Sequence, residues 1–108
     1  MGKKKYDVLM PKTLEQLESF LQQLLKKKPK NTIVKILAPY IGNDELLLLL
    51  NKYQKQLINF KRSKSIVFLT DDFDYDQIPD YVSIAPTEEE AQDIIDFEEI
   101  ERDLLMDD

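Results

Sequence analysis

The sequence predicts a single α/β domain spanning residues 1–108, built on a mostly parallel four-stranded sheet with about three helices. Three observations support this fold class. Short apolar, β-branched runs alternate with segments whose leucines recur at helical spacing. The resulting element order, β-α-β-α-β-β-α, favours right-handed crossovers and a mostly parallel sheet. Apolar residues make up 43% of the chain, a content typical of an ordered core rather than of a disordered chain.

The first strand and the first helix are predicted near the N-terminus. Residues 6–10 form a short apolar run that ends at Pro11, as expected of a strand. Thr13 and Gln16 have the spacing of a capping box, which begins a helix. This helix is expected to end at Pro29, because a proline inside a helix costs ~3 kcal/mol.

A second strand and a second helix follow. Residues 32–38 are β-branched and apolar apart from Lys35, and they predict a strand. Asn43 is a good N-cap for a helix that runs to about Phe60. One stripe of this helix is apolar and is expected to face the sheet: Leu46, Leu49, Leu50, Tyr53, Leu57 and Phe60.

The C-terminal part contains the clearest strand. Residues 65–69 are almost continuously apolar, as in strands that are covered on both faces. Residues 71–80 form an acidic loop, and residues 81–85 predict a weaker fourth strand. Thr87 and Glu90 then form a second capping box, which begins the final helix.

The residue types present argue against catalysis. The chain has no histidine and no cysteine, so the commonest general base and any thiolate nucleophile are absent. Its only glycines, Gly2 and Gly42, form no phosphate-binding loop. Residues 72–76 resemble the opening of a calcium loop, but Gln77 stands where that loop requires glycine. We therefore predict a protein that is not an enzyme and that has no cofactor and no metal site.

The charges of the chain are divided between its two halves. Residues 1–64 carry 14 basic and 5 acidic side chains, a net charge of +9, whereas residues 65–108 carry 1 and 16, a net charge of −15. The lysine clusters lie at the ends of predicted helices, with no aromatic residues between them to stack bases, which argues against nucleic-acid binding. No apolar run approaches the ~20 residues of a membrane span, so the interpretation is a cytoplasmic protein.

Two apolar features fall outside the predicted core. At the start of the second helix, Tyr40, Leu47 and Leu48 form a candidate docking patch; the alternative is that Leu48 is a single exposed leucine without a role. The final helix is irregular, because Glu98 and Arg102 interrupt the apolar stripe that begins at Ala91. A second stripe, rotated by more than 100°, consists of Phe97, Ile100 and Leu104.

The second stripe on the final helix leaves two interpretations open. In one, the helix bends near Asp96. In the other, the end of the helix covers a different surface, which belongs to the same molecule, to a second copy, or to another protein.

The end of the chain resembles the STAS superfamily, the sulfate-transporter and anti-sigma-factor-antagonist domains. It is most similar to small bacterial STAS-like proteins that are often encoded beside a ribonuclease Z. The resemblance covers about 20 residues in the strand, Pro-Thr turn and final helix, with weaker support from the phrase at residues 66–70. The residues that carry it are Ala85-Pro86-Thr87, Glu90-Ala91, Asp93-Ile94-Ile95 and Glu98-Glu99-Ile100-Glu101-Arg102-Asp103-Leu104.

The resemblance implies a regulatory protein-binding module without a cofactor. Anti-sigma-factor antagonists are switched by phosphorylation of a Ser or Thr at the start of the helix after a central strand, and residues 40–44 contain neither. We therefore expect a relative without this switch; the alternative is a self-associating scaffold subunit or homodimer that uses the final helix and a sheet edge. The candidate partner-binding residues are Tyr40, Asn43, Asp44, Leu47, Leu48, Phe97, Ile100 and Leu104.

Overall fold

The computed structural model describes residues 6–27, 30–36, 41–70 and 75–106. Within these ranges the chain forms four strands, four α-helices and one short 3₁₀ turn at Tyr75–Gln77. The elements in chain order are β1 (Tyr6–Leu9), α1 (Leu14–Lys27), β2 (Asn31–Lys35), α2 (Asn43–Lys52), α3 (Gln54–Phe60), β3 (Ile66–Leu69), β4 (Ser83–Ala85) and α4 (Glu88–Met106).

The four strands form one sheet in the sequential order β1-β2-β3-β4, and every pair of neighbours is parallel. This confirms the predicted α/β class and the four-stranded sheet. Because each connection advances the sheet in the same direction, α1, α2 and α3 all lie on one face. Helix α4 follows the last strand and returns across the opposite face.

Successive strand residues point to opposite faces, so the sheet separates two apolar cores. Val34 and Phe68 pack against the layer formed by α1, α2 and α3. Ile33 and Val67 pack against α4. This explains the continuous apolar runs in β2 and β3, since both faces of these strands are covered. The six residues predicted to form the sheet-facing stripe of the second helix are all buried in the first core.

The predicted second helix is divided. Helix α2 ends at Lys52, Tyr53 leaves helical geometry with φ −105° and ψ 19°, and α3 begins at Gln54. The Tyr53 hydroxyl reaches across to α1, where it donates a hydrogen bond to Glu18 Oε2 at 2.7 Å and accepts one from Gln22 Nε2 at 2.9 Å. These contacts place the tyrosine between helices that lie far apart in sequence.

Two of the three predicted helix N-caps are confirmed. Thr13 Oγ1 accepts the Gln16 amide at 3.0 Å, and Thr87 Oγ1 accepts the Glu90 amide at 3.2 Å. The prediction that Asn43 caps α2 is wrong, because Gly42 occupies the cap and residue 43 is already helical. Within the described ranges, no helix combines the length and the apolar character that crossing a bilayer requires.

Candidate functional site

Helix α4 is attached to the sheet by a buried carboxylate at the amino ends of the strands. Glu98 is only 8% exposed. Its two carboxylate oxygens accept hydrogen bonds from the hydroxyls of Ser65, at 2.5 Å, and Ser83, at 2.7 Å. The Lys61 ammonium lies 3.6 Å from Glu98 Oε2. Because Ser65 directly precedes β3 and Ser83 is the first residue of β4, one side chain holds the helix against two strands.

Arg102 and Asn31 extend this network. Arg102 Nη1 donates to Ser65 Oγ at 3.1 Å and approaches the Lys61 carbonyl oxygen at 3.4 Å. Asn31, the first residue of β2, donates from Nδ2 to Glu99 Oε2 at 3.0 Å and accepts the Ser65 amide at 2.8 Å. The side chains that interrupt the apolar stripe therefore continue the buried face of α4 as polar contacts.

The N-terminal end of α4 is held by a second polar group. The Tyr6 hydroxyl donates to Glu88 Oε2 at 3.0 Å and accepts a hydrogen bond from Gln92 Nε2. Lys35 Nζ lies 3.3 Å from Glu88 Oε1. Burial is the main cause that raises the pKa of Tyr6 above its ordinary value. With Ile95 and other apolar residues between these two polar groups, α4 is anchored along its inner side.

The opposite side of α4 is apolar and exposed. Helix α4 is continuous from Glu88 to Met106, so the irregular pattern does not mark a break in the helix. The exposed fractions of the three apolar residues on this side are 61% for Phe97, 57% for Ile100 and 71% for Leu104. These three lie at helical spacing, nearly opposite the buried Ile95 and Glu98 and the half-buried Arg102. We call Phe97, Ile100 and Leu104 the α4 outer face; Leu105, 81% exposed, lies on the line of Ile94 and Glu98 instead.

Carboxylates surround the α4 outer face. Helix α4 contains nine acidic side chains and one basic side chain, Arg102, which points inward to Ser65 and Lys61. Glu101 and Asp103 lie on the two flanks of the apolar residues, Asp93 lies on their line one turn before Phe97, and all three are exposed. An apolar patch with a polar rim is the usual signature of an interaction surface.

The predicted partner-binding residues divide into two separate surfaces. Phe97, Ile100 and Leu104 belong to the α4 outer face, on one side of the sheet. The α2 residues lie on the other side: Leu48 is 72% exposed, Leu47 is half-buried against the first core and Asp44 is exposed. Asn43 is the first residue of α2 by its backbone, and Tyr40 lies outside the described residues.

A groove also lies away from the α4 outer face. An open groove of about 600 Å³ lies between α1 and α3, lined by Gln22, Gln23, Gln56 and Tyr53 among others. At its edge, the Lys52 ammonium lies 2.7 Å from Glu18 Oε2 and lowers the pKa of that carboxyl. No group of three or more potential metal ligands comes together in the ranges that the structure describes.

Sequence reasoning identified the exposed stripe of α4 but missed the network behind it. Glu98 and Arg102 occupy positions i and i+4 on the line of the apolar stripe, which is the signal for a shared buried partner. Ser65 and Ser83 carry a weaker signal, since each is a small hydroxyl residue at the start of an apolar strand. Ser65 and Ser83 are separated from Glu98 by 33 and 15 positions in the sequence, so their contact with it is not visible in a local pattern.

Comparisons of this chain with protein-family models, with curated proteins and with solved structures find no match. The architecture establishes the α/β class, whereas the likeness to STAS domains depends on the sequence phrases at the end of the chain. The α4 outer face brings together three of the seven large apolar side chains that are exposed among the described residues.

Proposed function

We propose that this protein is a non-catalytic protein-interaction module that binds a partner protein through the α4 outer face. One observation carries the proposal: an anchored helix presents three apolar side chains along its exposed side, at positions i, i+3 and i+7, each more than half exposed. Burial of such a side chain contributes about 1.5–3 kcal/mol when it is complete. A partner that covers this face therefore gains several kcal/mol without any rearrangement of α4.

The anchoring of α4 strengthens the proposal. Polar contacts hold the helix at its first turn, through Glu88 and Tyr6, and in its second half, where Glu98 and Arg102 are hydrogen-bonded to Ser65. A surface that is already rigid loses little conformational entropy on binding. The α4 outer face thus resembles a preformed docking surface rather than a helix that must first fold against its partner.

In the STAS-type interpretation, the module is cytoplasmic and binds without a phosphorylation switch. The relevant region is the start of α2, where residues 41–44 read Ile-Gly-Asn-Asp and supply no hydroxyl to phosphorylate. Asp44 places a permanent negative charge in the first turn of α2, where the helix dipole favours it. This part of the proposal rests on the sequence resemblance.

A self-associating scaffold is the second candidate function. Strand β1 has a single neighbour, β2, among the described strands, so its other edge is open to pairing with another chain. The same apolar residues on α4 would serve as a contact between copies. Symmetric contact through α4 is disfavoured, however, because it would bring two acidic rims together.

Two measurements on the same variants test the proposal. We would use the unmodified chain, the double variant Phe97→Ser with Ile100→Ser, and the control Leu48→Ser, which removes an exposed leucine from the opposite side. Affinity capture from the native cell, quantified by mass spectrometry, should recover a specific partner with the unmodified chain and the control but not with the double variant. Equal recovery with all three chains would refute the proposal.

Sedimentation velocity over a range of concentrations separates the two candidates. A binding module should sediment as a small species at every concentration until its partner is added. A scaffold should assemble alone, and Phe97→Ser with Ile100→Ser should reverse the assembly. Assembly that Leu48→Ser reverses instead would place the contact on the α2 side.

A further inference from the structure

We infer that the α4 outer face binds a cationic amphipathic helix, in which an apolar stripe is flanked by lysine or arginine side chains. The inference rests on the proposed function and specifies the chemistry of the partner. Two features of α4 lead to it: the linear arrangement of its apolar residues and the single sign of the charge around them.

The apolar residues form a ridge that suits a second helix. Phe97, Ile100 and Leu104 occupy positions i, i+3 and i+7, so they run along the helix for about 10 Å, or two turns. Helices pack side by side by setting such a ridge into the groove between residues of a partner with matching spacing. An amphipathic helix with apolar side chains at i, i+3, i+4 and i+7 therefore fits this face better than an extended peptide does.

The negative charges on α4 favour a partner that carries positive charge. Glu101 and Asp103 lie on the two flanks of the ridge, Asp93 lies on its line one turn before Phe97, and Glu90 is exposed on the same helix. The one basic residue of α4, Arg102, is directed inward to Ser65 and to the Lys61 carbonyl. Lysines or arginines on the flanks of a partner helix would face carboxylates on both sides. Complementary charge of this kind accelerates association and excludes partners of the wrong sign.

The same negative charges argue against three other partners of the α4 outer face: a second copy of the chain, a lipid surface and a nucleic acid. A second copy docked symmetrically through α4 would place acidic rim against acidic rim. Anionic lipid headgroups and nucleic-acid phosphates are repelled for the same reason. Contact between α4 and the basic half of another copy would be a head-to-tail arrangement, which propagates into rings or filaments that sedimentation detects.

The test uses three synthetic peptides of about five helical turns. The first is an amphipathic helix of leucine and lysine, the second replaces every lysine by glutamate, and the third scrambles the first so that no apolar stripe forms. Binding to the full chain is measured by fluorescence anisotropy at about 0.05 M and about 0.5 M salt. The scrambled peptide controls for attraction between opposite net charges without helix packing.

Two variants of the chain separate the apolar and the charged contributions. Phe97→Ser with Ile100→Ser removes the ridge and keeps the charges. Asp93→Lys with Glu101→Lys keeps the ridge and reverses two of the charges next to it. The matched control, Asp7→Lys with Asp80→Lys, makes the same change in net charge at exposed positions outside α4. Circular dichroism checks that every variant is folded.

We expect the leucine–lysine peptide to bind the unmodified chain and the control with affinities within about twofold of each other. Its affinity for each α4 variant should be lower by about tenfold or more. The glutamate and scrambled peptides should bind the unmodified chain at least about tenfold more weakly than the leucine–lysine peptide does, and high salt should weaken the binding of the leucine–lysine peptide. Equal binding of the scrambled peptide, or equal loss in the Asp7/Asp80 control, would overturn the inference. If no peptide binds but the captured cellular partner is still lost with Phe97→Ser and Ile100→Ser, the proposed function stands and this inference fails.

Discussion

Replacement of Glu98 by alanine tests whether the buried polar network holds α4 against the sheet. In the native chain the Glu98 carboxylate is almost fully buried and accepts hydrogen bonds from Ser65 at 2.5 Å and Ser83 at 2.7 Å. Alanine removes both acceptors and the charge that faces Lys61 at 3.6 Å. The substitution leaves the helix propensity of the position as good as before, because alanine is the best helix former.

The expected loss of stability depends on whether the hydrogen-bond partners of Glu98 can bond to water instead. A hydrogen bond to a charged group contributes about 1.5–3 kcal/mol. Ser65 is fully buried, so its hydroxyl proton loses its acceptor without replacement, whereas Ser83 is partly exposed and can bond to water. We therefore expect Glu98→Ala to lower the free energy of unfolding by about 2–4 kcal/mol. This is a large part of the ~5–15 kcal/mol that stabilises a typical domain.

Urea unfolding followed by circular dichroism measures the effect. With an m-value of about 2 kcal/mol/M, the middle of the usual range, the midpoint should fall by roughly 1–2 M. Glu101→Ala is the matched control, since Glu101 is an exposed carboxylate on the same helix and its loss should change stability by less than about 0.5 kcal/mol. Glu98→Gln keeps the shape and part of the hydrogen bonding, so it should fall between the two. Equal midpoints for Glu98→Ala and Glu101→Ala would refute the reasoning.

Three further predictions concern stability. Phe68→Ala should lower the free energy of unfolding by about 3–5 kcal/mol, because Phe68 is 1% exposed. Phe97→Ala should change it by less than about 0.5 kcal/mol, because Phe97 is 61% exposed. If urea unfolding gives similar losses for the two variants, the placement of α4 is contradicted. Tyr6→Phe should cost about 1–3 kcal/mol through the lost hydrogen bonds to α4, and an unchanged thermal midpoint would count against those bonds. The hydrogen bond from Lys52 lowers the pKa of Glu18, so this pair stabilises the fold above the ordinary value of 4.5 and loses its effect as pH falls through the lowered pKa. Glu18→Gln should therefore be less stable than the native chain at neutral pH and equal to it in strong acid, and a difference that persists there would exclude the linkage.

The type and order of the elements could be predicted from the sequence because their signals are local. Apolar periodicity and the threonine caps act within a few residues of each other. Apart from the division of the second helix into α2 and α3, the structure has the predicted order of strands and helices. The boundaries differ where a turn competes with a strand. The fourth strand begins at Ser83 rather than at residue 81, since the Val82 amide donates to the Pro79 carbonyl at 3.1 Å and forms a turn instead.

The division of the second helix could not be predicted, because its cause lies elsewhere in the chain. Nothing in the local sequence distinguishes Tyr53 from the other residues of the apolar stripe. Its hydroxyl, however, is hydrogen-bonded to Glu18 and Gln22 on α1, 35 and 31 residues away. Local helical preference is worth only a few tenths of a kcal/mol per residue, so such tertiary contacts can override it.

For α4, the sequence by itself determined that two stripes exist and that Phe97, Ile100 and Leu104 share one of them. Only the tertiary structure decided which stripe is buried. Periodicity measures apolar content, and by that measure Glu98 and Arg102 look like the end of the buried face. The folded chain brings Ser65 and Ser83 to that face, where their hydroxyls compensate a carboxylate that would otherwise be costly to bury. The apolar stripe is left on the outside because partners distant in sequence satisfy the charged one.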